Sequence, residues 1–438
     1  EVNIKILLGQ AIESGALDAG ERNKLLVDMT DEVSSLVLSD NYVQDHALAL
    51  SSYLAPRLIN VHRRLMNSME RGGTLNRELE FLPSDSECAQ RDAENRGLTG
   101  PELAVLLAYV KIGIAEDILS SSLPDEAWCN DLLVNYFPSP LRERFAKHMT
   151  THPLRREIIT TLLVNEVVNR GGVSYVYRAV EETGAEAVDV LRAHHVIASV
   201  LGLPELWEEI HELDNVIETR AQLAVTSRLR RVLDRGIRWL LQSRSGAIDV
   251  AAEIERLRPG IAELLPHATK LFIGDEARTM CRYVEELTGQ GVPEDLAERC
   301  VGALYGFGLF DVVELSAQAE EPVRAVAEMY YTASERFGMD ALFERITQLP
   351  RRDRWSALAR MAMRYDLYAV LAGVVREVLA NTGAHLTASE RLQSWSQRNQ
   401  VNIGRVQNTM SMLGDSAPAD LATLSVLLRQ LRTLIRNS

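Results

Sequence analysis

Cysteine is scarce in this chain: Cys88, Cys129, Cys281 and Cys300 stand far apart and never as C-x-x-C. That excludes a disulfide framework and a thiolate zinc site, and reduced thiols of a cytoplasmic protein are the plain reading. Glycine is never arranged as G-x-G-x-x-G or G-x-x-x-x-G-K-[ST]. Its clusters, "RGGT", "NRGG" and "GFGLF", lack the strand-turn-helix setting in which backbone amides cradle a phosphate. No G-x-S-x-G is present, so no nucleophile elbow suggests itself. Lysine is nearly missing, five residues against 42 arginines, a ratio attributable to genome composition that carries no functional conclusion. Long hydrophobic runs are lacking too. The unbroken apolar run Leu103 to Val110 falls far short of the roughly 20 residues that cross a bilayer, and it ends in Lys111, Glu116 and Asp117. It is not a membrane span. A net charge of −14 repels phosphate backbones and argues against a general nucleic-acid binder.

What is present is helical periodicity, in a chain of 438 residues with 46% hydrophobic residues, long enough for a large core. Thr99 and Glu102 make a T-x-x-E capping box with Pro101 in the first turn. Thr183 with Glu186 and Thr387 with Glu390 repeat the device. Gly171 and Gly202 sit where helix C-caps fall. "GGVSYVYRAV" places Val173, Val176, Tyr177 and Val180 at i, i+3, i+4 and i+7, a helix rather than a strand. Near the end, Leu392, Trp395, Val406, Met410 and Leu413 mark one helix, "GDSAPAD" turns the chain, and Leu421, Leu424, Leu428, Leu431 and Ile435 follow at heptad spacing. The expected fold class is all-α, a multi-helix bundle or array with no significant sheet, ending in an antiparallel helical hairpin over about 388–436. That hairpin closes either an intramolecular bundle or a subunit interface.

Several residues invite a chemical reading. The segment around Lys111 is apolar nearly all round and reads as the central helix of a bundle, with Lys111 snorkelling out or paired with a carboxylate. A catalytic lysine of depressed pKa needs a convergent polar cluster, and none accompanies it. Glu205, Glu208, Glu209 and Glu212 stripe one helix and Arg228, Arg231, Arg235 and Arg238 the next, beside an apolar face of Val225, Leu229, Val232, Leu233, Ile237 and Leu240. The stripes pair with each other, lie solvated, or form an anion or nucleotide site. His148 and His152 are spaced H-x-x-x-H, but no glutamate follows His148 and Pro153 ends the helix there, against zinc. His194 and His195 are adjacent and splay by roughly 100° on a helix. No catalytic, cofactor-binding or metal-ligating residue is therefore expected in this chain.

The strings "NRGLTGPELAVLLAYVKI", "YFPSPLRERF", "HPLRREIITTLLVNEVVNRGG", "ELDNVI" and "LATLSVLLRQLR" together resemble the C-terminal region of the large bacterial NAD-specific glutamate dehydrogenases. The resemblance is densest over 95–215 and 403–436, and the opening "EVNIKILLGQ" resembles the stretch that closes the catalytic unit of that family. It implies a parent enzyme that converts L-glutamate, water and NAD+ to 2-oxoglutarate, ammonium and NADH, with the catalytic domain upstream of Glu1. This segment is then a catalytically silent, structural or regulatory region with no cofactor of its own. Its implied partners are its own catalytic domain and other subunits of a cytoplasmic homo-oligomer, not nucleic acid or membrane. The organisation expected is 1–8 the end of the catalytic unit, 9–94 a connecting helical segment, 95–245 a central bundle and 246–438 a C-terminal helical region. An independent helical scaffold or adaptor is the alternative.

Overall fold

The computed structural model describes residues 1–244, 246–349, 353–413 and 420–436, and among them every regular element is helical and none is a strand. The all-α expectation is met. The chain divides into two compact units, Glu1–His195 with Leu240–Ala251, and Val196–Trp239 with Ala252–Ser438.

The first unit is built from α1 (Val2–Glu13), α2 (Ala19–Asp28), α3 (Thr30–Arg71), α4 (Asp85–Ala93) and α5 (Gly100–Leu119), followed by α6 (Cys129–Tyr136), α7 (Ser139–Thr150), α8 (Arg155–Gly171) and α9 (Tyr175–Thr183). The unit boundaries fall inside α10 (Ala187–Val200), α12 (Thr219–Ser243) and α13 (Val250–Leu264). The second unit holds α11 (Leu203–His211), most of α12 and α13, and α14 (Ala268–Leu271), α15 (Gly274–Thr288), α16 (Glu294–Tyr305) and α17 (Leu309–Ala319). It ends with α18 (Val323–Arg336), α19 (Met339–Gln348), α20 (Arg354–Asn381), α21 (Ala388–Arg398), α22 (Gln400–Leu413) and α23 (Leu421–Arg436).

In the first unit, α3, α5 and α8 pack on one another. α3 runs 42 residues, roughly 63 Å at 1.5 Å per residue, with Pro56 inside it. α5 starts where the sequence places it: the Glu102 carboxylate accepts the Thr99 backbone N–H at 2.7 Å. Leu103, Leu106, Leu107, Val110, Ile114 and Ile118 form its buried stripe. The helix is not enclosed on all sides, because the ridge Ala104, Ala108 and Ile112 faces out, Ile112 being 57% exposed. Just before α5, Gly97 lies so close to α3 that a Cβ there would stand 2.3 Å from the Ala55 carbonyl carbon.

Two local expectations need correction. Thr183 does not open a helix. It is the last residue of α9, its hydroxyl donates to the Ala179 carbonyl, and Gly184 follows in the left-handed conformation (φ 74°), which ends the helix before Glu186 can act as its N3 partner. A Ser84–Glu87 box with the same signature does open α4. The C-cap of α8 is Gly172 (φ 91°), one residue past Gly171, while Gly202 (φ 61°) does follow α10 as expected.

The segment 388–413, expected as one helix, is two. Asn399 (φ −110°, ψ 19°) separates α21 from α22, its side-chain amide donating to the Trp395 carbonyl, so a local side-chain bond competes with helical propagation. α23 packs against α20 as well as α22, and Asp420 caps it by accepting the Thr423 N–H at 2.8 Å. The rest of the "GDSAPAD" turn, 414–419, lies outside the described residues. Among the described residues one stretch, Glu294–Ala319, is long and apolar enough to cross a membrane, but 72% of its apolar window is buried in the protein. A 3-10 turn, Gly306–Gly308, separates its two helices. It belongs to the core of the second unit.

Candidate functional site

Lys111 neither snorkels free nor pairs with a carboxylate. Its Nζ donates to Gln44 Oε1 of α3 at 2.7 Å and to Asn165 Oδ1 of α8 at 2.8 Å, two amide carbonyls rather than a carboxylate. Burial pushes its pKa down, and the charge of Asp40 nearby opposes the fall. The lysine thus cross-links three packed helices through neutral acceptors, which hold the ammonium without an ion pair.

The histidines are occupied in four separate places. α7 ends at Thr150, so His148 and His152 do not share a helical face. His152 accepts the Leu154 N–H on Nδ1 (3.0 Å) and donates from Nε2 to the Asn3 carbonyl (3.1 Å). His148 Nε2 meets Ser14 Oγ at 2.9 Å, a serine–histidine contact with no signature in the sequence. The Ser14 hydroxyl already donates to the Ala11 carbonyl, so it accepts from His148, and the imidazole is a donor there rather than a base. His194 lies 3.6 Å from a Glu166 carboxylate oxygen and His195 stacks on Trp128, so the two do splay to separate tasks. Among the described residues no group of three or more His, Cys, Asp or Glu could hold a metal ion. All four cysteines are free, Cys281 being the exposed one.

Perturbed titratable groups gather instead in the second unit. α12 buries Val225, Leu229, Val232, Leu233 and Ile237 on one face, as its spacing predicts, and sets Arg228, Arg231 and Arg235 on another. Glu276 and Tyr283 come from α15, Tyr305 from α16, and Tyr330 and Tyr331 from α18. Tyr283 packs on Tyr305 and Tyr330 on Tyr331, and burial pushes the hydroxyls of Tyr305, Tyr330, Tyr331 and Tyr368 upward, so they stay neutral. Burial, aided by the charge of Asp340, raises Glu276 to about 8. Burial, aided by Arg235 and Arg228, lowers Arg231 to about 10. Asp311 rises to about 6 through burial, even though Trp239 Nε1 (2.8 Å) and Tyr330 Oη (3.3 Å) donate to it.

Each of these shifts favours the neutral form, the mark of polar groups crowded by protein atoms, although Arg231 is still reached by solvent. Tyr305 senses both Arg235 and Glu276, which lie within its electrostatic reach without pairing. Such an arrangement favours binding over turnover: it offers fixed donors and an unneutralised cation, and a carboxylic acid that stays protonated at neutral pH. None of it shows in the sequence beyond the arginine stripe, because Glu276, Tyr305 and Tyr330 come from separate helices with no common spacing.

That stripe is not uniform. Arg228 pairs with Glu286 at 3.3 Å and Arg238 with Asp234 at 2.9 Å, while Glu209 of the acidic stripe pairs with Arg299. A separate cleft of about 760 Å3, the size of a small-molecule pocket, lies between α18, α21 and α22 and is lined by polar side chains including Gln393, Ser396, Gln397 and Gln400. The cleft and the perturbed groups do not coincide. The perturbed groups are the stronger sign of a site, because uncompensated charge is costly to maintain whereas an open cleft is not.

Residues 95–433 match the family model described as glutamate dehydrogenase, C-terminal, and residues 1–51 match that of the bacterial NAD-glutamate dehydrogenase catalytic domain. Among curated proteins the chain is similar to the NAD-specific glutamate dehydrogenases of Mycobacterium tuberculosis (37% identity), Halomonas elongata (34%) and Pseudomonas aeruginosa (34%). Each match takes in all 438 residues of this chain and 27% of the relative, so the chain spans about a quarter of the length of these proteins.

Proposed function

The chain belongs to the glutamate dehydrogenase C-terminal family, and we propose that it is the helical C-terminal portion of an NAD-specific glutamate dehydrogenase. The parent enzyme would convert L-glutamate, water and NAD+ to 2-oxoglutarate, ammonium and NADH in the cytoplasm. This portion would hold no reaction centre. It would brace the catalytic portion of the same polypeptide, contribute to contacts between subunits and bias the catalytic motion from a distance.

One observation carries the reading: the chain aligns along its full length with dehydrogenases of which it spans 27%, and every regular element among its described residues is a helix. A dinucleotide fold needs a parallel sheet whose strand ends in a glycine turn at a helix N-terminus. The described residues do not fit that cofactor, so no step is derived through it. The packing supports the same reading, because Lys111, His148, His152, His194 and His195 are each held in a structural contact.

The test has two arms. The 438-residue chain is assayed alone for glutamate-dependent NADH formation, and no turnover is expected; measurable turnover overturns the claim of silence. The parent polypeptide is then made with and without this region. Loss of turnover or of assembly in the shortened form supports the bracing role, and full activity in the same oligomeric state overturns it.

A further inference from the structure

Two arginines face one ring, and two more follow along α12. α12 presents Arg228, Arg231 and Arg235, three and four residues apart and hence neighbours on the helix surface. Arg282 of α15 shares the Tyr283 ring with Arg228. The guanidinium carbons of Arg228 and Arg282 lie 5.3 Å and 5.4 Å from the centroid of that ring.

Only one of the four has a carboxylate, Arg228 with Glu286. Among the described residues Arg231, Arg235 and Arg282 make no hydrogen bond or ion pair. This is not for want of acids, since the chain carries 61 acidic residues against 47 lysines and arginines. Elsewhere in the same unit Arg256 holds Glu314, Arg299 holds Glu209 and Arg391 holds Glu321. Like charges at helix-neighbour spacing repel, and they repel more where water is partly displaced.

Arg231 is exposed to solvent although many protein atoms crowd it, which places it in an open recess rather than a sealed core. A diffusing ligand can therefore reach it. The crowding and the neighbouring arginines both work against its charge, so a bound anion would relieve two costs at once.

We infer that the Arg231–Arg235 face of α12 is an anion site that takes a small phosphate-bearing ligand. Two unneutralised guanidiniums call for more than one negative charge. A phosphate group presents several acceptor oxygens in different directions and can take hydrogen bonds from more than one guanidinium fork, whereas one fork satisfies a monocarboxylate. Tyr283 is engaged by two arginines, so its ring positions the forks rather than stacking on the ligand. The inference rests on the charges of this unit and holds whether or not the chain serves a dehydrogenase.

Calorimetric titration of the 438-residue chain with sodium pyrophosphate, inorganic phosphate and adenosine diphosphate, at fixed ionic strength, tests it. Saturable 1:1 binding of pyrophosphate is expected, weakened at least ten-fold by Arg231→Ala or Arg235→Ala and less by Arg231→Lys, which keeps the charge but loses the fork. Arg405→Ala, at an exposed arginine elsewhere in the unit, should leave binding unchanged. Equal affinity for pyrophosphate and adenosine diphosphate points to recognition of phosphate alone, and tighter adenosine diphosphate binding to a nucleotide source; both support the site. Because ligation stabilises the folded form, saturating pyrophosphate should also raise the Tm of the wild type and not that of folded Arg231→Ala. No saturable heat with any of the three anions, or an equal loss in Arg405→Ala, overturns it.

Discussion

In the first unit, charges that leave the surface find partners. Arg64 reaches Glu181 at 3.0 Å, Arg77 bridges Glu70 and Asp85, Arg91 grips Glu102 with both ends of its fork, and Arg192 spans Glu126 and Asp189. Even Lys111, lacking a carboxylate, is held by two amides. The second unit follows the same practice at Arg391, which is 3% exposed and bound to Glu321, yet leaves Arg231 and Arg235 without any acid and Glu276 near 8. Buried pairs contribute little net stability, because desolvation offsets much of their attraction, but breaking one exposes its full cost. Pairing therefore marks residues used to fix geometry, and uncompensated charge marks a place left for something else. The prediction is that breaking a paired charge or crowding a close backbone contact in the first unit destabilises, while removing an unpaired charge from the second is tolerated or stabilising.

The largest expected effect is Gly97→Ala. Its new Cβ would stand 2.3 Å from the Ala55 backbone, which a helix-bound carbonyl carbon cannot yield, so a loss of about 3 kcal/mol is expected in chemical denaturation. Gly113→Ala, mid-helix in α5 with nothing within 4 Å, is the control and should be neutral or stabilising by about 0.5–1 kcal/mol.

Next is Glu102→Ala. Burial alone would raise the pKa of this carboxylate, but Arg91 and the Thr99 cap hold it below the ordinary value. A depressed acid contributes stability that is present above its unfolded pKa and is lost as pH falls through the folded one. The variant should lose about 2 kcal/mol at pH 7 and progressively less below pH 4. An equal loss at pH 3 and pH 7 would show that the pair is not the cause.

Glu276→Gln should behave oppositely. With a folded pKa raised to about 8, the acid contributes stability that is complete below its unfolded value near 4.5 and declines as pH rises through 8. The variant is expected to match the wild type at pH 4 and to melt several degrees higher at pH 9. A lower Tm at pH 9 would contradict the unpaired state of this group.

The smallest effect is Arg231→Ala, within about 0.5 kcal/mol of neutral and in the direction of gain, since solvent screens an exposed charge. A loss above 1 kcal/mol would mean that Arg231 has structural work, and the contrast between the units would fail there.

Local signals were legible wherever a few adjacent residues settle the outcome. The Thr99–Glu102 and Thr387–Glu390 boxes and the apolar face of α12 sit where their spacing puts them. The same pattern failed at Thr183, because Gly184 had already turned the chain, and it was overlooked at Ser84, where it does cap α4. Asn399 broke a helix whose apolar spacing runs on across it, a choice made by one side-chain amide. The candidate site was half legible: the arginine stripe could be read along one helix, but which arginines lack a partner could not.

By itself the sequence determined the all-helical class, the family resemblance and the buried faces, because helix propensity, capping and a 3.6-residue period act over a few neighbours. Tertiary structure alone decided that Lys111 is held by amides and that, among the described residues, Glu276 has no cation beside it and Arg231 and Arg235 pair with no acid. The physical reason is range: ion pairing and desolvation depend on side chains far apart in sequence, such as Arg228 and Glu286 at a separation of 58, and only folding brings those together.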